Sequence, residues 1–271
     1  MEQLKRIKKI SLLTLPISIL MAITSLYGIF SDSIYLHETK NYAAQAIGQD
    51  FVNLFFVLPV FIISFILLQR SVFVSLFIWC GTLMYIIYTF VIFCFGVHFN
   101  ILFLIYCLTL GFSIYLLIGT ISSLDYSKIR EQFNTEHSTK ITSLYLFIIA
   151  GMFYLIWLKE IIPAIIKNKI PQSILDSGLP TSPVFVLDIS IVLPALIIAG
   201  ILLLKKKSFG YFIAPCLLTF LIVMTMAVGG MFISLNAKGF QNDLSLISVF
   251  TLLSVTGIVV FTLLFKKCLN N

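Results

Sequence analysis

The sequence predicts an all-α integral membrane protein with about eight transmembrane helices. Of its 271 residues, 60% are hydrophobic and only 11% are charged, and the mean hydropathy is +1.08. A soluble domain usually contains about 25% charged residues. This composition therefore excludes a soluble globular protein, a disordered chain and a small disulfide-stabilised scaffold.

Long uncharged runs locate the transmembrane helices. A helix needs about 20 apolar residues to cross the hydrocarbon core of a bilayer. Runs of about this length predict eight spans, numbered in chain order, at about residues 10–30, 51–68, 71–97, 99–124, 141–158, 184–204, 209–235 and 244–265. Asp188 interrupts the sixth run, and His98 separates spans 3 and 4, where we expect a tight turn.

Lysine and arginine residues are distributed unequally between the two sides of the membrane. Thirteen of the 18 fall at the termini or in the loops on the same side, and these include Lys205–Lys207, Lys266 and Lys267. Because cytoplasmic loops are enriched in Lys and Arg, both termini are predicted to be cytoplasmic. The net charge of +7 is then a topology signal and an attraction to anionic lipids, and no nucleic-acid partner is expected.

An internal repeat relates two parts of the chain at an offset of 135 residues. Val57–Ile78 aligns with Val192–Ile213 without a gap, and ten of the 22 positions are identical, including Pro59 with Pro194. The alignment predicts two parallel four-helix halves, residues 1–135 and 136–271, related by an axis along the membrane normal. Several transporters are built in this way, with the solute site between the repeats. Coincidence between two similar aliphatic helices is the alternative.

Two polar residues occupy equivalent positions at membrane depth, where an unpaired charge is costly. Asn53 precedes Pro59 by six residues, and Asp188 precedes Pro194 by six residues. The prolines are candidate hinges, and each frees the carbonyl four residues earlier, at Phe55 and Ser190. If spans 2 and 6 face each other, these groups would form a cation or proton site. Alternatively, Asp188 binds a neighbouring helix and the prolines only kink their helices.

Five further residues complete the set of candidates. Gln49 and Asp50 follow a predicted outer loop at Ser31–Asp50, and Asp50 is predicted to cap the start of span 2 while sharing a helix face with Asn53. Tyr85 in span 3 would line a polar pocket. His98 and Asn100 cap the outer turn between spans 3 and 4. Cys94 and His98 are too few ligands for a metal site, and no cofactor is expected.

The sequence favours a small-solute or ion/proton-linked carrier whose site lies toward the outer leaflet, between the halves. No P-loop, HExxH, GxSxG or CxxCH motif is present. One alternative is a membrane-embedded enzyme acting on a lipid or quinone-like substrate, with Asp188, Glu160 and His98 as acid/base groups. The other is a non-catalytic scaffold or sensor subunit. The expected partners are the lipid bilayer and a small solute or cation, and the sequence indicates neither a protein partner nor a homo-oligomer.

Several segments resemble an uncharacterised family of bacterial multi-pass inner-membrane proteins, known as hypothetical membrane proteins. They are Gly48-Gln49-Asp50 before a proline-containing helix, the aromatic stretch from Tyr85 to Asn100, Val186-Leu187-Asp188 before Leu193-Pro194, and Gly210-Tyr211 before Ala214-Pro215. The resemblance covers the chain from about Gly48 to Pro215. It implies a location in the bacterial cytoplasmic membrane, it implies no activity, and it adds weight to Asp50 and Asp188 as candidates.

Overall fold

A computed structural model describes residues 2–133, 136–240 and 244–266, with the backbone alone for residues 2–5, 136, 137 and 244. Lys267, one of the predicted cytoplasmic cations, lies outside the described residues. Within them, the chain forms eight helices that are long and apolar enough to cross a membrane. The predicted class, a polytopic helical membrane protein with eight spans, is thus confirmed.

The eight spans are linked by short loops, two of which contain a further helix. The bounds of the spans are Arg6–Phe30, Lys40–Gln69, Phe73–Gly96, Phe103–Ile121, Ser138–Ile166, Pro183–Leu204, Ser208–Ala237 and Ser245–Phe265. Tyr126–Glu131 is a loop helix between spans 4 and 5, and Asp125 caps it by accepting hydrogen bonds from two N–H groups. Gln172–Ser177 is a second loop helix, between spans 5 and 6.

Span 2 begins about ten residues earlier than hydropathy predicted. The Thr39 hydroxyl accepts a hydrogen bond from the N–H of Tyr42 at 3.1 Å and caps the helix Lys40–Val52. Residues 40–50 are therefore helical rather than part of an outer loop. Asp50 lies inside the helix, so the prediction that it caps the start of span 2 was wrong. Polar residues such as Gln45 lower the hydropathy of this stretch, while its alanines favour a helix.

Span 5 is also longer at its C-terminal end. Hydropathy predicted an end at about residue 158, but the helix Glu136–Ile166 continues beyond it and accommodates Pro163. A proline inside a helix removes one backbone hydrogen bond without ending the helix when its surroundings tolerate the change. The outer segment between spans 5 and 6 is correspondingly shorter than predicted.

Spans 3 and 7 form the centre of the bundle. Span 3 packs on spans 2, 4, 6 and 7, and span 7 packs on spans 2, 3, 6 and 8. The two central helices approach closely at Gly81, where an added Cβ atom would lie 2.3 Å from the carbonyl oxygen of Cys216. Near this crossing, the ring centroids of Phe77 and Phe212 are 6.3 Å apart. A small residue at the crossing lets two membrane helices pack closely.

Backbone features recur at the offset of 135 residues found in the sequence. Single π-helical turns occur at Asn53–Val57 and Asp188–Val192 and lead into the α-helices Leu58–Gln69 and Leu193–Leu204. The following turns contain the positive-φ residues Ser71 and Lys206, with φ values of 66° and 53°. Spans 1 and 3 each pack on spans 2 and 4, and spans 5 and 7 each pack on spans 6 and 8.

Candidate functional site

A cavity of about 260 Å³ lies inside the bundle and is lined by spans 2, 3, 5, 6, 7 and 8. Its polar wall is formed by side chains from both halves of the chain: Gln45, Gln49, Tyr88, Trp157 and Asp188. The rest of the wall is largely aromatic and aliphatic. An enclosed apolar cavity with a few convergent polar groups is the usual form of a small-molecule site.

Two donors hold the Asp188 side chain at the wall of this cavity. The Tyr88 hydroxyl of span 3 donates to Oδ1 at 3.0 Å, and the Trp157 indole N–H of span 5 donates to Oδ2 at 2.9 Å. The ring of Phe185 packs against that of Trp157, with 5.0 Å between centroids. Because an indole nitrogen donates only, Oδ2 is fixed as an acceptor. The carboxylate is thus oriented by both halves, and it remains only partly buried.

The backbone around Asp188 is the π turn Asp188–Val192. The N–H of Leu193 binds the carbonyl of Asp188, five residues earlier. Pro194 has no N–H to continue this register, and the carbonyl of Ile189, five residues before it, accepts a hydrogen bond from the Tyr154 hydroxyl at 3.3 Å. The sequence prediction of a freed carbonyl at Ser190 assumed an α-helical register, and the π turn shifts the freed group. π turns inside helices are frequent at functional sites.

Asn53 lies in the equivalent π turn of span 2 and has different partners. The Tyr85 hydroxyl donates to Asn53 Oδ1 at 2.8 Å, and Gln49 donates to the Thr89 hydroxyl at 3.1 Å. Asn53 is 1% exposed, and its Nδ2 atom has no hydrogen-bond partner among the described residues. Gln49 also lines the cavity, so it connects this buried polar group to the cavity around Asp188.

Asn53 and Asp188 do not form the shared site that the sequence suggested. That site required spans 2 and 6 to face each other, but within the described chain these spans have no substantial contact, because spans 3 and 7 lie between them. Tyr85 and Tyr88, one turn apart on span 3, each bind one of the two side chains. The two polar groups therefore contact the same central helix at different positions.

Asp50 is fully buried behind span 1 and does not line the cavity. The Tyr35 hydroxyl donates to its Oδ2 atom at 2.5 Å, and Gly28 leaves the room that the carboxyl group occupies. Burial, together with the nearby Asp50, raises the pKa of Tyr35 well above its usual value, so Tyr35 remains a donor. Asp50 Oδ1 has no partner in the part of the chain that is described.

His98 and Asn100 lie at the turn between spans 3 and 4, away from the cavity. Glu38 accepts a hydrogen bond from the His98 N–H at 2.7 Å, and its second oxygen lies 3.0 Å from His98 Nδ1. Asn100 Oδ1 accepts from the N–H of Leu102 at 2.9 Å. Glu160 binds the N–H and hydroxyl of Ser173. The three groups that an enzyme would require, His98, Glu160 and Asp188, thus have separate partners in the described structure.

Sequence reasoning missed Trp157 and Glu38 as partners of candidate residues. Both lie far along the chain from the residues that they contact, and hydropathy carries no information about such pairing. For Trp157, the sequence offered one indication. Its indole N–H lies near the predicted end of span 5 and requires an acceptor when it is buried.

A second, larger crevice of about 570 Å³ lies among spans 2, 7 and 8. Its lining is almost wholly apolar and includes Gly48, Gly229 and Gly230, and no described residue in it is charged. Its polar side chains are the hydroxyl residues Thr225, Ser234, Thr251 and Ser254, and none of its described side chains is suited to acid/base chemistry. The smaller cavity around Asp188 is therefore the better candidate site.

The described residues contain no group of three or more His, Cys, Asp or Glu side chains that could hold a metal ion. In comparisons with known proteins, no protein-family model, curated protein or solved structure matches the chain.

Proposed function

We propose that this protein is a carrier that moves a small solute across the bacterial cytoplasmic membrane through a site around Asp188. The observation that carries the proposal is an oriented, partly accessible carboxylate in a partly open cavity within the transmembrane bundle. An ionisable side chain at this depth is expensive to maintain and usually marks a pathway for a substrate, ion or proton.

The proposal includes two parallel repeats with an axis between spans 3 and 7. The π turns and positive-φ turns at matching positions support it. Phe77 packs on its own counterpart Phe212, and Gly81 packs on its counterpart Cys216, as expected only beside a two-fold axis. Repeat-built transporters bind their solute between the repeats, and this cavity is lined by both halves.

The cavity itself is asymmetric. At the offset of 135 residues, Phe220 and Val223 of span 7 correspond to Tyr85 and Tyr88 of span 3. Span 7 therefore has no hydroxyl at these two positions, and the residue equivalent to Asp188 is the amide Asn53. A single solute, bound near the one carboxylate of the cavity, fits this asymmetry.

The cavity lies in the outer half of the membrane if both termini are cytoplasmic. Asp188 follows the start of span 6 at Pro183 by only five residues, and its partner Trp157 precedes the end of span 5 at Ile166 by nine residues. A carrier must also open this site toward the cytoplasm. The prolines that follow the two π turns are the candidate hinges for that movement.

The proposal can be tested without knowing the solute, because the cavity of a carrier should be accessible from both sides of the membrane. In a variant whose five native cysteines are replaced by serine, Met224→Cys places one thiol on the cavity wall. A membrane-impermeant thiol reagent should label it in right-side-out and in inverted vesicles. Ala227→Cys, on the same helix but fully buried, is the matched control and should remain unlabelled. Labelling of Met224→Cys from one side only, or from neither, would contradict a carrier.

Substitution of Asp188 gives a second test. Asp188→Asn should abolish protein-dependent uptake or export while the amount of protein in the membrane is unchanged. Asp176→Asn makes the same change at an exposed position in the outer loop helix and should retain transport. If Asp188→Asn lowers only the amount of protein, the carboxylate is structural and the proposal fails.

A further inference from the structure

We propose that the cavity around Asp188 binds a small organic cation, an amine or a quaternary ammonium ion with a hydrogen-bond donor. This inference rests on the carrier function proposed above and names the class of its substrate. Three properties of the cavity carry it: the sign of its charge, its aromatic wall and the two amides that span 2 contributes to that wall.

The only formal charge on the described cavity wall is negative. Asp188 is its one carboxylate, and no Lys, Arg or His residue lines it, although the whole chain has a net charge of +7. An anionic solute would meet a carboxylate in a water-poor site with no cation to compensate it. A neutral solute would leave that carboxylate without a counter-charge. The charge of the wall therefore complements a cation and neither an anion nor a neutral solute.

Aromatic rings surround the carboxylate and distinguish an organic cation from a metal ion. Six aromatic side chains line the cavity: Tyr88, Phe153, Trp157, Phe220, Phe232 and Phe250. Faces of aromatic rings attract ammonium groups, and quaternary ammonium ligands are typically bound in such aromatic cages. A hard metal cation requires several oxygen ligands instead, whereas most of this wall is carbon.

Two amides provide acceptors on the wall formed by span 2. Gln45 donates through Nε2 to Asn41 at 2.6 Å, and Gln49 donates through Nε2 to Thr89 at 3.1 Å. Each nitrogen retains a second N–H, and the amide oxygens are the acceptors that these side chains can present to a solute. An N–H or hydroxyl group on the cation would bind there while its charged end lies near Asp188.

The size of the cavity limits the solute to a small molecule. Sites for drug-sized ligands are about 300–1,000 Å³, and this cavity is about 260 Å³. Choline, which combines a quaternary ammonium group with a hydroxyl, is a suitable probe of the proposed class. Its uncharged carbon analogue, 3,3-dimethylbutan-1-ol, has nearly the same shape and tests the contribution of the charge.

Trp157 is a built-in reporter of binding. The chain has two tryptophans, and Trp79 is fully buried in span 3, donates to Thr14 and does not line the cavity. In purified full-length Trp79→Phe protein, choline should change the Trp157 fluorescence in a saturable way. The uncharged alcohol should require a concentration at least about tenfold higher, since cation–π and ionic attraction are lost together.

Asp188→Asn and Phe153→Leu, with Asp176→Asn as the control, distinguish loss of charge recognition from misfolding. Asp188→Asn should remove the response to choline, measured also by equilibrium dialysis of labelled choline, and Asp176→Asn should retain it. Phe153→Leu preserves the carboxylate and the apolar volume, but removes one ring face. It should weaken choline binding by a few-fold and leave the binding of the alcohol unchanged.

The outcomes distinguish this inference from the carrier proposal. The cation class is overturned if neither choline nor tetramethylammonium gives a saturable response, or if choline and the alcohol bind equally well. In either case, two-sided labelling of Met224→Cys still supports a carrier. Choline binding that depends on Asp188, combined with labelling from one side only, supports the cation site and overturns the carrier.

Discussion

Tyr88 and Asp188, which are 100 residues apart in the chain, are joined by a hydrogen bond of 3.0 Å at the cavity wall. Tyr88 belongs to the central span 3 of the first half, and Asp188 belongs to span 6 of the second half. The second oxygen of Asp188 is bound by Trp157. Any movement of span 6 relative to span 3 must therefore break or rearrange a bond to the one carboxylate of the cavity.

Tyr88→Phe should lower both stability and transport. It removes the donor to Asp188 Oδ1 and preserves the ring that packs on Phe220 at 5.7 Å. A hydrogen bond to a charged group contributes about 1.5–3 kcal/mol, so unfolding in detergent should require less denaturant. Tyr115→Phe, at a position in span 4 that is 72% exposed, is the control and should change stability by less than about 0.5 kcal/mol. Equal effects of the two substitutions would refute a specific role for the Tyr88 hydroxyl.

Gly28→Ala should destabilise the protein through Asp50. A Cβ atom at Gly28 would lie 1.8 Å from Asp50 Oδ2 and 3.0 Å from the Tyr35 hydroxyl, so the buried pair must separate. Overpacking of this kind usually costs about 1–3 kcal/mol, measurable as a lower melting temperature in detergent. Gly111→Ala in span 4, where a Cβ meets nothing within 4 Å, should be neutral. A neutral Gly28→Ala variant would mean that the Tyr35–Asp50 contact is not close-packed.

Gly81→Ala should weaken the contact between the two halves. The added methyl group would lie 2.3 Å from the carbonyl oxygen of Cys216 and 2.5 Å from Thr219 Cβ, so spans 3 and 7 must move apart. We expect a lower melting temperature and a changed Trp157 fluorescence, because the cavity is lined by both helices. Gly151→Ala in span 5, with nothing within 4 Å of the added methyl group, is the control. Unchanged fluorescence in both variants would contradict coupling between the crossing and the cavity.

The number of spans was predictable from the sequence, but the extent of spans 2 and 5 was not. Hydropathy detects apolar stretches of sufficient length, whereas a helix begins where backbone capping and packing permit. Residues 40–50 mix polar residues with alanines, and the Thr39 cap and the burial of Ala44 and Ala46 hold them in the helix. Those interactions depend on tertiary contacts that hydropathy does not include.

Asp188 was predictable as a candidate, but its environment was not. A charge inside an apolar run is visible in the sequence. Its partners Tyr88 and Trp157 are 100 and 31 residues away, and choosing them among all the polar side chains requires the order in which the helices pack. The expected pairing with Asn53 failed for the same reason, since spans 3 and 7 separate the two helices.

The distribution of positive charge predicts that both termini are cytoplasmic. A C-terminal fusion to green fluorescent protein should therefore be fluorescent, and a C-terminal alkaline phosphatase fusion should be inactive. Fusions after Ser173, in the outer loop helix Gln172–Ser177, should give the opposite result. A phosphatase that is active at the C-terminus would invert the topology and would move the Asp188 cavity to the cytoplasmic leaflet.

Pro194→Ala should move the Asp188 side chain without destabilising span 6. Restoring an N–H at this position lets the helix adopt a regular α register in place of the π turn Asp188–Val192. A shift of one residue rotates Asp188 by about 100° around the helix axis, away from Tyr88 and Trp157. Transport and choline binding should fall, while the melting temperature is unchanged or rises, since alanine favours the helix.

Pro163→Ala removes an exposed proline from the α-helical end of span 5 and should leave both activities intact. Retained choline binding in Pro194→Ala would show that the π turn does not position the carboxylate.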